Sequence, residues 1–247
     1  RGAARSIYNR LKELTNEGCF HLSKNMESNH LRECLAEIRN RLKDGQPCRV
    51  VSTQLIEAGV DVDFPAVYRE MAGLDSILQA AGRCNREGRR NADESIVTIF
   101  SREGKLSQMF SMPVNAAAEA LDGGRDPGDP DTMARYFKSL LDFRGDSLDK
   151  YGVISAFMNG IEGCMLPFET VAKKFRMIDE NTFTVYIPRG EGAELIERLK
   201  AGESSRELYR NLGRHSVELY ESDFKKLYGN GGILTSHEEP CLDERSA

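Results

Sequence analysis

Val50 to Gly88 reads VVSTQLIEAGVDVDFPAVYREMAGLDSILQAAGRCNREG. The stretch opens on the β-branched run Cys48-Arg49-Val50-Val51-Ser52-Thr53, bounded ahead by Asp44-Gly45-Gln46-Pro47. That is the pattern of a strand buried in a parallel sheet. A further strand is expected at Ala66 to Tyr68, after Phe64-Pro65, and a helix around Ser76 to Ala81. Upstream, Ala3, Ile7, Leu11 and Leu14 recur at helical spacing, so a helix is expected from the start of the chain. Cys19 to Leu22 predicts a short strand after Gly18, and Asn29 to Lys43 a helix with Leu31, Leu35, Ile38 and Leu42 on one stripe. Downstream, Ser95 to Phe100 is a fourth strand candidate. Strand and helix alternate over residues 1–101, which calls for an α/β layer fold.

Composition narrows the function classes. The chain has 247 residues, 40% hydrophobic and 30% charged, too apolar for disorder and too polar for lipid. No run approaches the ~20 apolar residues of a membrane helix, and Arg1 to Arg10 lacks a signal-peptide core, so a cytoplasmic location and no membrane partner are expected. The chain begins at Arg1 without Met, inside a helical pattern, and we expect sequence upstream of it. The six cysteines form no Cys-x-x-Cys pair, and none of the four histidines is spaced to complete a zinc site, so no metal site is expected. The net charge of −5 argues against nonspecific coating of duplex DNA but leaves room for a narrow nucleic-acid channel.

The segment GGRDPGDPD, Gly123 to Asp131, admits neither helix nor ladder and is the best linker in the chain. Beyond it come helical spacing at Met133 to Leu141, a strand at Phe183 to Ile187, and helices near Ala193 to Lys200 and Arg206 to Leu212. The expected organisation is therefore an α/β domain at 1–101, a linker at 102–132, and a smaller α+β domain at 133–247.

Chemistry concentrates at Gln79-Ala80-Ala81-Gly82-Arg83-Cys84-Asn85-Arg86. On a helix Gln79, Arg83 and Arg86 share one face, so two guanidiniums and an amide converge. Arginine stays charged and donates in a planar fork, which suits a polyphosphate; Gly82 would let a neighbouring backbone approach. A solvated basic turn running into Arg89 and Arg90 is the plainer alternative. Twenty residues earlier, Ser52 and Thr53 follow a strand, where ligands gather in open α/β sheets, with Gly59 and Asp61 just beyond. Turn chemistry alone would also explain them. Farther on, Arg206, Arg210 and Arg214 would share a helix face, and Lys173, Lys174 and Arg176 form a second basic cluster. Either could line a single-strand channel, although the acidic surroundings favour surface ion pairs. His215 and His237 have no partner at useful spacing and are expected to be structural or solvent-facing; Phe168, Phe175, Phe183 and Tyr186 are expected in the core.

Together the two motifs resemble motifs V and VI of superfamily 2 helicases. Read in full, with GLDSI and QAAGRCNREG, the stretch is similar to one family in particular: the helicase–nuclease of type I CRISPR interference systems. His21-Leu22-Ser23 with Met26, His30 and Arg32 matches the motif before these, and ETVAKKFRMID near Val171 is a looser match to the carboxy-terminal domain. The resemblance is specific over residues 20–90 and diffuse after about 130. It implies that residues 1–101 are an incomplete second RecA-like lobe followed by an accessory domain, with Arg86 an arginine finger and Arg83 and Gln79 beside it. Gly59, Asp61 and Gly82 would lie at nucleotide, and Ser23, Ser52 and Thr53 at the DNA backbone; Lys174, Arg206 and Arg210 of the basic clusters are further candidates for DNA contact. The implied cofactors are ATP and Mg²⁺, the implied partners a first lobe and nuclease domain upstream, single-stranded DNA, and an RNA-guided surveillance complex.

No G-x-x-x-x-G-K-[ST] loop and no His-Asp dipeptide occurs, and Gly104-Lys105-Leu106-Ser107 lacks the earlier glycine. The phosphate cradle, the Mg²⁺ ligands and the nuclease metal are therefore expected elsewhere, leaving this polypeptide alone inactive. An RNA helicase or another superfamily 2 translocase is an alternative, as is a non-catalytic fragment that binds and regulates the surveillance complex.

Overall fold

The computed structural model describes residues 2–57, 59–102, 108–175, 182–236 and 239–243. In chain order these form α1 (Gly2–Leu14), β1 (Cys19–Leu22), α2 (Ser28–Lys43), β2 (Arg49–Ser52), β3 (Val67–Glu70), α3 (Leu74–Ala81), β4 (Val97–Phe100), α4 (Gln108–Leu121) and α5 (Pro130–Arg144). Then come α6 (Val153–Glu162), α7 (Phe168–Lys174), β5 (Thr182–Tyr186), α8 (Glu191–Lys200), α9 (Arg206–Leu212), β6 (Ser216–Tyr220), α10 (Glu221–Gly229), β7 (Ile233–Ser236) and β8 (Glu239–Leu242). The expected elements through residue 101 are all present within a few residues of their predicted bounds.

Packing divides the chain into two units, residues 1–60 with 180–247, and residues 61–179. In the first, β1 and β2 pair in parallel from Cys19↔Arg49 to Leu22↔Ser52, and α2 is the crossover that parallel strands require. Leu22 on β1 and Leu35 and Ile38 on α2 are buried, as the helical stripe predicts. Gly18 enters β1 with φ +61°, and a Cβ there would lie 1.9 Å from the Pro47 carbonyl oxygen, so only glycine fits. The same unit holds a four-stranded sheet in the order β6-β5-β8-β7. Successive residues of β5 face opposite sides: Tyr186 joins Leu195, Ile196, Leu199, Leu208 and Leu212 of α8 and α9, while Val185 packs with Val217, Leu219 and Ile233 beside Phe224 and Leu227 of α10.

In the second unit β3 and β4 pair in parallel, Val67↔Val97 to Glu70↔Phe100. Leu74 of α3, Ala116, Ala117 and Ala120 of α4 and Tyr136 of α5 form its core. The glycine- and proline-rich segment joins α4 to α5, with the Asp129 carboxylate capping α5 through the Thr132 amide (3.2 Å) and Pro130 in its first turn. Neither helix nor strand crosses it, but it is the bend of a helical hairpin, so the expected 102–132 linker gives way to two helices that share a core. The boundaries of these packing units, at 60 and 180, differ from those expected at 101 and 133. A run of turn residues reports a local break in secondary structure and carries no information on which elements pack together. Phe168, Phe175 and Phe183, expected in the core, are 64%, 52% and 37% exposed; of that group only Tyr186 is buried.

Candidate functional site

Arg83 and Arg86 do not lie on the helix that the spacing predicts. α3 ends at Ala81, where the Gly82 amide still bonds to the Leu78 carbonyl (2.9 Å). The Arg83 and Cys84 amides then turn back to Ala80 and Ala81 (3.0 and 2.9 Å). From there the chain is stitched to the segment before β3: the Phe64 amide donates to the Arg83 carbonyl and the Asn85 amide to the Phe64 carbonyl, both at 2.9 Å. Gln79 alone of the three remains helical and is exposed. Gly82 has an ordinary φ of −64°, and a Cβ there would meet only the carbonyls of Gln79 and Leu78 at 3.5 Å. The backbone approach expected at Gly82 is therefore not made; its place is the cap that frees the arginines from the helix.

Two aspartates organise the loop from Asn85 to Arg90. The Arg86 amide donates to Asp63 Oδ1 (2.7 Å) and Arg90 Nη1 to Asp63 Oδ2 (2.9 Å), while Arg86 Nη1 lies 3.1 Å from Asp61 Oδ1. Asn85, in the left-handed region at φ 47°, closes the loop through its own side chain to the Arg90 amide and carbonyl (2.9 and 2.7 Å). The two ion pairs differ in kind. Asp63 and Arg90 are 15% and 31% exposed, and this pair is shared with a backbone amide, which makes it part of the loop's construction. Asp61 and Arg86 are 77% and 40% exposed, a surface pair worth at most about 1 kcal/mol. A phosphate, with more charge and more acceptor oxygens, would take the Arg86 guanidinium from Asp61 at little cost. Asp63, which the motif reading passed over, is the residue that fixes where Arg86 starts. Its signal was the alternation Asp61-Val62-Asp63, with Val62 buried between two outward carboxylates.

In the other unit Ser23, Ser52 and Thr53 come together at the carboxyl ends of the parallel strands β1 and β2. Leu22 pairs with Ser52, and the Thr53 amide donates to the Leu22 carbonyl (3.1 Å). Ligands gather at such an edge. Ser23 is nevertheless only 8% exposed, and the Ser52 hydroxyl donates to the Thr53 carbonyl (2.8 Å), so Thr53 is the hydroxyl with the fewest prior commitments. Gly59 takes φ +73° with open space around it.

Arg206 and Arg210 on α9, with Arg214 in the turn after it, line a cleft of about 780 Å³ together with Glu207 and Asn211. Surface ion pairing was the expected fate of these arginines. Among the described residues none of the three side chains makes an ion pair or hydrogen bond to the protein. The helical spacing that aligns them sets the one carboxylate of the cleft, Glu207, beside them without engaging it. Lys174 is exposed at the end of α7, next to Lys173, which pairs with Glu169 (2.6 Å). Arg176, His237 and the Gly104 to Ser107 stretch lie outside the described residues.

Of the two roles expected for His215, structural or solvent-facing, it takes the structural one. It is 5% exposed, with Nδ1 2.5 Å from Glu27 Oε1 and Nε2 3.2 Å from Asn29 Nδ2. Arg189, Glu33 and Glu191 complete a cavity of about 450 Å³ around this pair. The partners lie 188 residues apart, beyond the reach of any spacing rule. The cysteines are free thiols, and no cluster suited to a metal ion occurs among the described residues.

Residues 2–89 match the family model described as CRISPR-associated nuclease/helicase Cas3, C-terminal. Among curated relatives, the Cas3 of Haloferax volcanii is 49% identical over 69 residues, 27% of this chain and 7% of that protein. The Cas3 of Methanothermobacter thermautotrophicus is 28% identical over 137 residues, 53% of this chain and 15% of its own length. Among solved structures, T. fusca Cas3 with ATP superposes with a TM-score of 0.57 at 14% identity, over 91% of this chain and 32% of that one. A chain of a CRISPR RNA-guided surveillance complex, pre-nicking, gives 0.52 at 14% identity over 88% of this chain and 32% of its own. At such identities the structures establish the fold: mixed α/β with parallel sheets, as in Cas3. The chain thus spans a small part of the curated relatives and about a third of the solved structures, and residues 2–89 are similar to the carboxy-terminal part of the CRISPR-associated nuclease/helicase Cas3.

Proposed function

We propose that residues 1–101 serve as the second RecA-like lobe of an ATP-dependent single-stranded-DNA translocase in CRISPR defence, and that Arg86 is its arginine finger. The observation that carries this reading is the loop itself. Asp63 pins the Arg86 backbone, while the side chain makes a half-exposed surface pair with Asp61. An arginine so arranged is fixed at its base and exchangeable at its tip, as a group that meets a phosphate from across a cleft must be. On this reading Arg83 and Gln79 would act beside it, and Asp61 and Gly59 are the candidates for nucleotide contact.

The donor set here fits one side of a triphosphate site. Two guanidiniums can meet the outer phosphate, and Asp61 can accept from a ribose hydroxyl. Neither a phosphate-cradling glycine loop nor a set of Mg²⁺ ligands accompanies them among the described residues, so those belong to the first lobe. ATP, once bound there, would supply the free energy of phosphoryl transfer. This chain's part is to place positive charge where negative charge builds on the transferred group. Opening and closing of the cleft, driven by the different affinities of the two states for nucleotide, would then move the enzyme along DNA. Ser23, Ser52 and Thr53 at the β1 and β2 ends would hold the DNA backbone, and Arg206, Arg210 and Lys174 extend the track. The RNA-guided surveillance complex would hand over the strand, in the cytoplasm, and the nuclease domain with its own metal would cut it. On this reading the polypeptide by itself neither hydrolyses ATP nor cuts DNA.

The test is Arg86→Ala in the whole helicase–nuclease, read as DNA-stimulated ATP hydrolysis. Loss of turnover with retained ATP binding supports the finger. Wild-type turnover ends the assignment.

A further inference from the structure

The GLDSI stretch, Gly73 to Ile77, is as specific in the sequence as the arginine segment, yet none of its side chains belongs to the arginine site. It lies at the opposite end of α3 from Arg83. Leu74 and Ile77 are each 1% exposed and anchor the helix in its unit. Asp75 sits in the first turn, exposed, and its Oδ1 accepts a hydrogen bond from the hydroxyl of Tyr136 (2.8 Å). Tyr136 comes from α5, 61 residues later, and is itself 1% exposed within the cluster of Leu74, Ala116, Ala117 and Ala120. Gly73 is what admits the pair: a Cβ at that position would lie 2.5 Å from both Asp75 Oδ1 and the Tyr136 hydroxyl, and 3.2 Å from Pro113. Gly73 has an ordinary φ of −60°, so space and not backbone freedom demands the glycine. Burial, and then the adjacent carboxylate, push the Tyr136 phenol far above its ordinary value, so the hydroxyl keeps its proton and stays a donor throughout the working pH range.

We propose that Tyr136 and Asp75 are positioning residues for the arginine site, with the α3 helix as the rigid link between the buried hydroxyl and Arg83–Arg86. The eight residues of α3 span about 12 Å, a length over which a helix anchored on two buried leucine-type side chains behaves as a rod. The Tyr136 hydroxyl, bonded to Asp75 and beside the Leu74 backbone amide, is the polar tie on the first turn of α3; apolar contacts by themselves resist separation but fix rotation about the helix axis weakly. The turn at Gly82 converts such a rotation into a displacement of the Arg83 backbone, and with it of Arg86. The helical hairpin α4–α5 thereby becomes part of the motor's active geometry.

This inference rests on Arg86 being the finger, and the experiment separates the two. In the whole helicase–nuclease, Tyr136→Phe removes one oxygen and keeps the packed ring. The expected result is a fall in kcat for DNA-stimulated ATP hydrolysis of roughly ten- to a hundredfold, as small misplacements of a reacting group give, with unchanged KM for ATP and unchanged DNA affinity. Asp75→Ala, made from an exposed position, should match it, and Asp75→Asn, which retains an acceptor oxygen, should restore most of the turnover. In an Arg86→Ala background Tyr136→Phe should cost nothing further. Equal losses in both backgrounds, unchanged kcat, or a loss confined to KM or DNA affinity would each overturn the proposal. A large effect of Arg86→Ala with none from Tyr136→Phe would defeat the positioning role and leave the finger standing, whereas wild-type turnover in Arg86→Ala would defeat the finger.

Discussion

Around Arg86 the cationic side chains meet carboxylates, Arg86 with Asp61, Arg90 with Asp63 and Arg89 with Glu87, whereas Arg206, Arg210 and Arg214 border a cleft without a single ion pair among the described residues. Both surfaces are rich in arginine, and a sequence reader would treat them alike. The first neutralises its own charge and spends it on geometry: the carboxylates set where each guanidinium stands before any ligand arrives. The second leaves its three guanidiniums without ion pairs among the described residues, beside the single carboxylate of Glu207. A group that must meet one phosphate in one position calls for the first arrangement, and a track that accepts a sliding backbone calls for the second.

The contrast breaks if the variants behave alike. The largest effect is expected from Arg86→Ala, which should lower DNA-stimulated ATP turnover in the whole helicase–nuclease on the order of a thousandfold or more, the range of an arginine finger. Phosphate release at saturating ATP measures it, and a loss under tenfold would place Arg86 outside the reaction. Next, Asp63→Ala removes the acceptor of both the Arg86 amide and the Arg90 guanidinium, at a site 15% exposed. It should destabilise its unit by about 2 kcal/mol, a hydrogen bond to a charged group being worth about 1.5–3. Urea unfolding of this chain reads that directly, and an unchanged midpoint would mean the loop is held by other contacts.

The arginine cleft, if it is the proposed track, should respond to salt instead. Replacing Arg206, Arg210 and Arg214 together by alanine should weaken single-stranded DNA binding and reduce the slope of log affinity against log salt by about 2, each phosphate contact contributing about 0.7. Binding curves at several salt concentrations decide it; an unaltered slope would remove the cleft from the DNA path. The smallest effect belongs to Asp61→Asn. Loss of an exposed pair should move folding stability by less than about 1 kcal/mol, while ATP turnover in the whole enzyme changes because Arg86 loses its resting partner. A large stability loss there would turn Asp61 into a second Asp63 and erase the distinction between tip and base.

Much of the site was legible in the amino-acid order, for reasons that are local. The hydroxyls after β2 and the arginines after α3 sit next to turn residues, and such elements announce themselves through side-chain period and through breakers. Arg83 and Arg86 leave the helix that their spacing predicts because Gly82 ends it, and side-chain period does not register a cap. Asp63 was passed over because its two partners are a backbone amide and Arg90, neither of which the motif singles out. The Asp75–Tyr136 and Glu27–His215 contacts had no local trace at all: each joins residues 61 and 188 positions apart.

The order of residues alone determined which segments are helix and strand over residues 1–101, the parallel α/β character, and the likeness to Cas3, because these depend on periodicity and on motif chemistry within a few tens of residues. Only the tertiary structure decided that the glycine–proline segment bends a hairpin, that residues 180–247 pack with 1–60, and which arginines are paired. Those outcomes are set by contacts between distant segments, whose free energy is gained through burial and charge pairing in three dimensions and leaves no period in the chain.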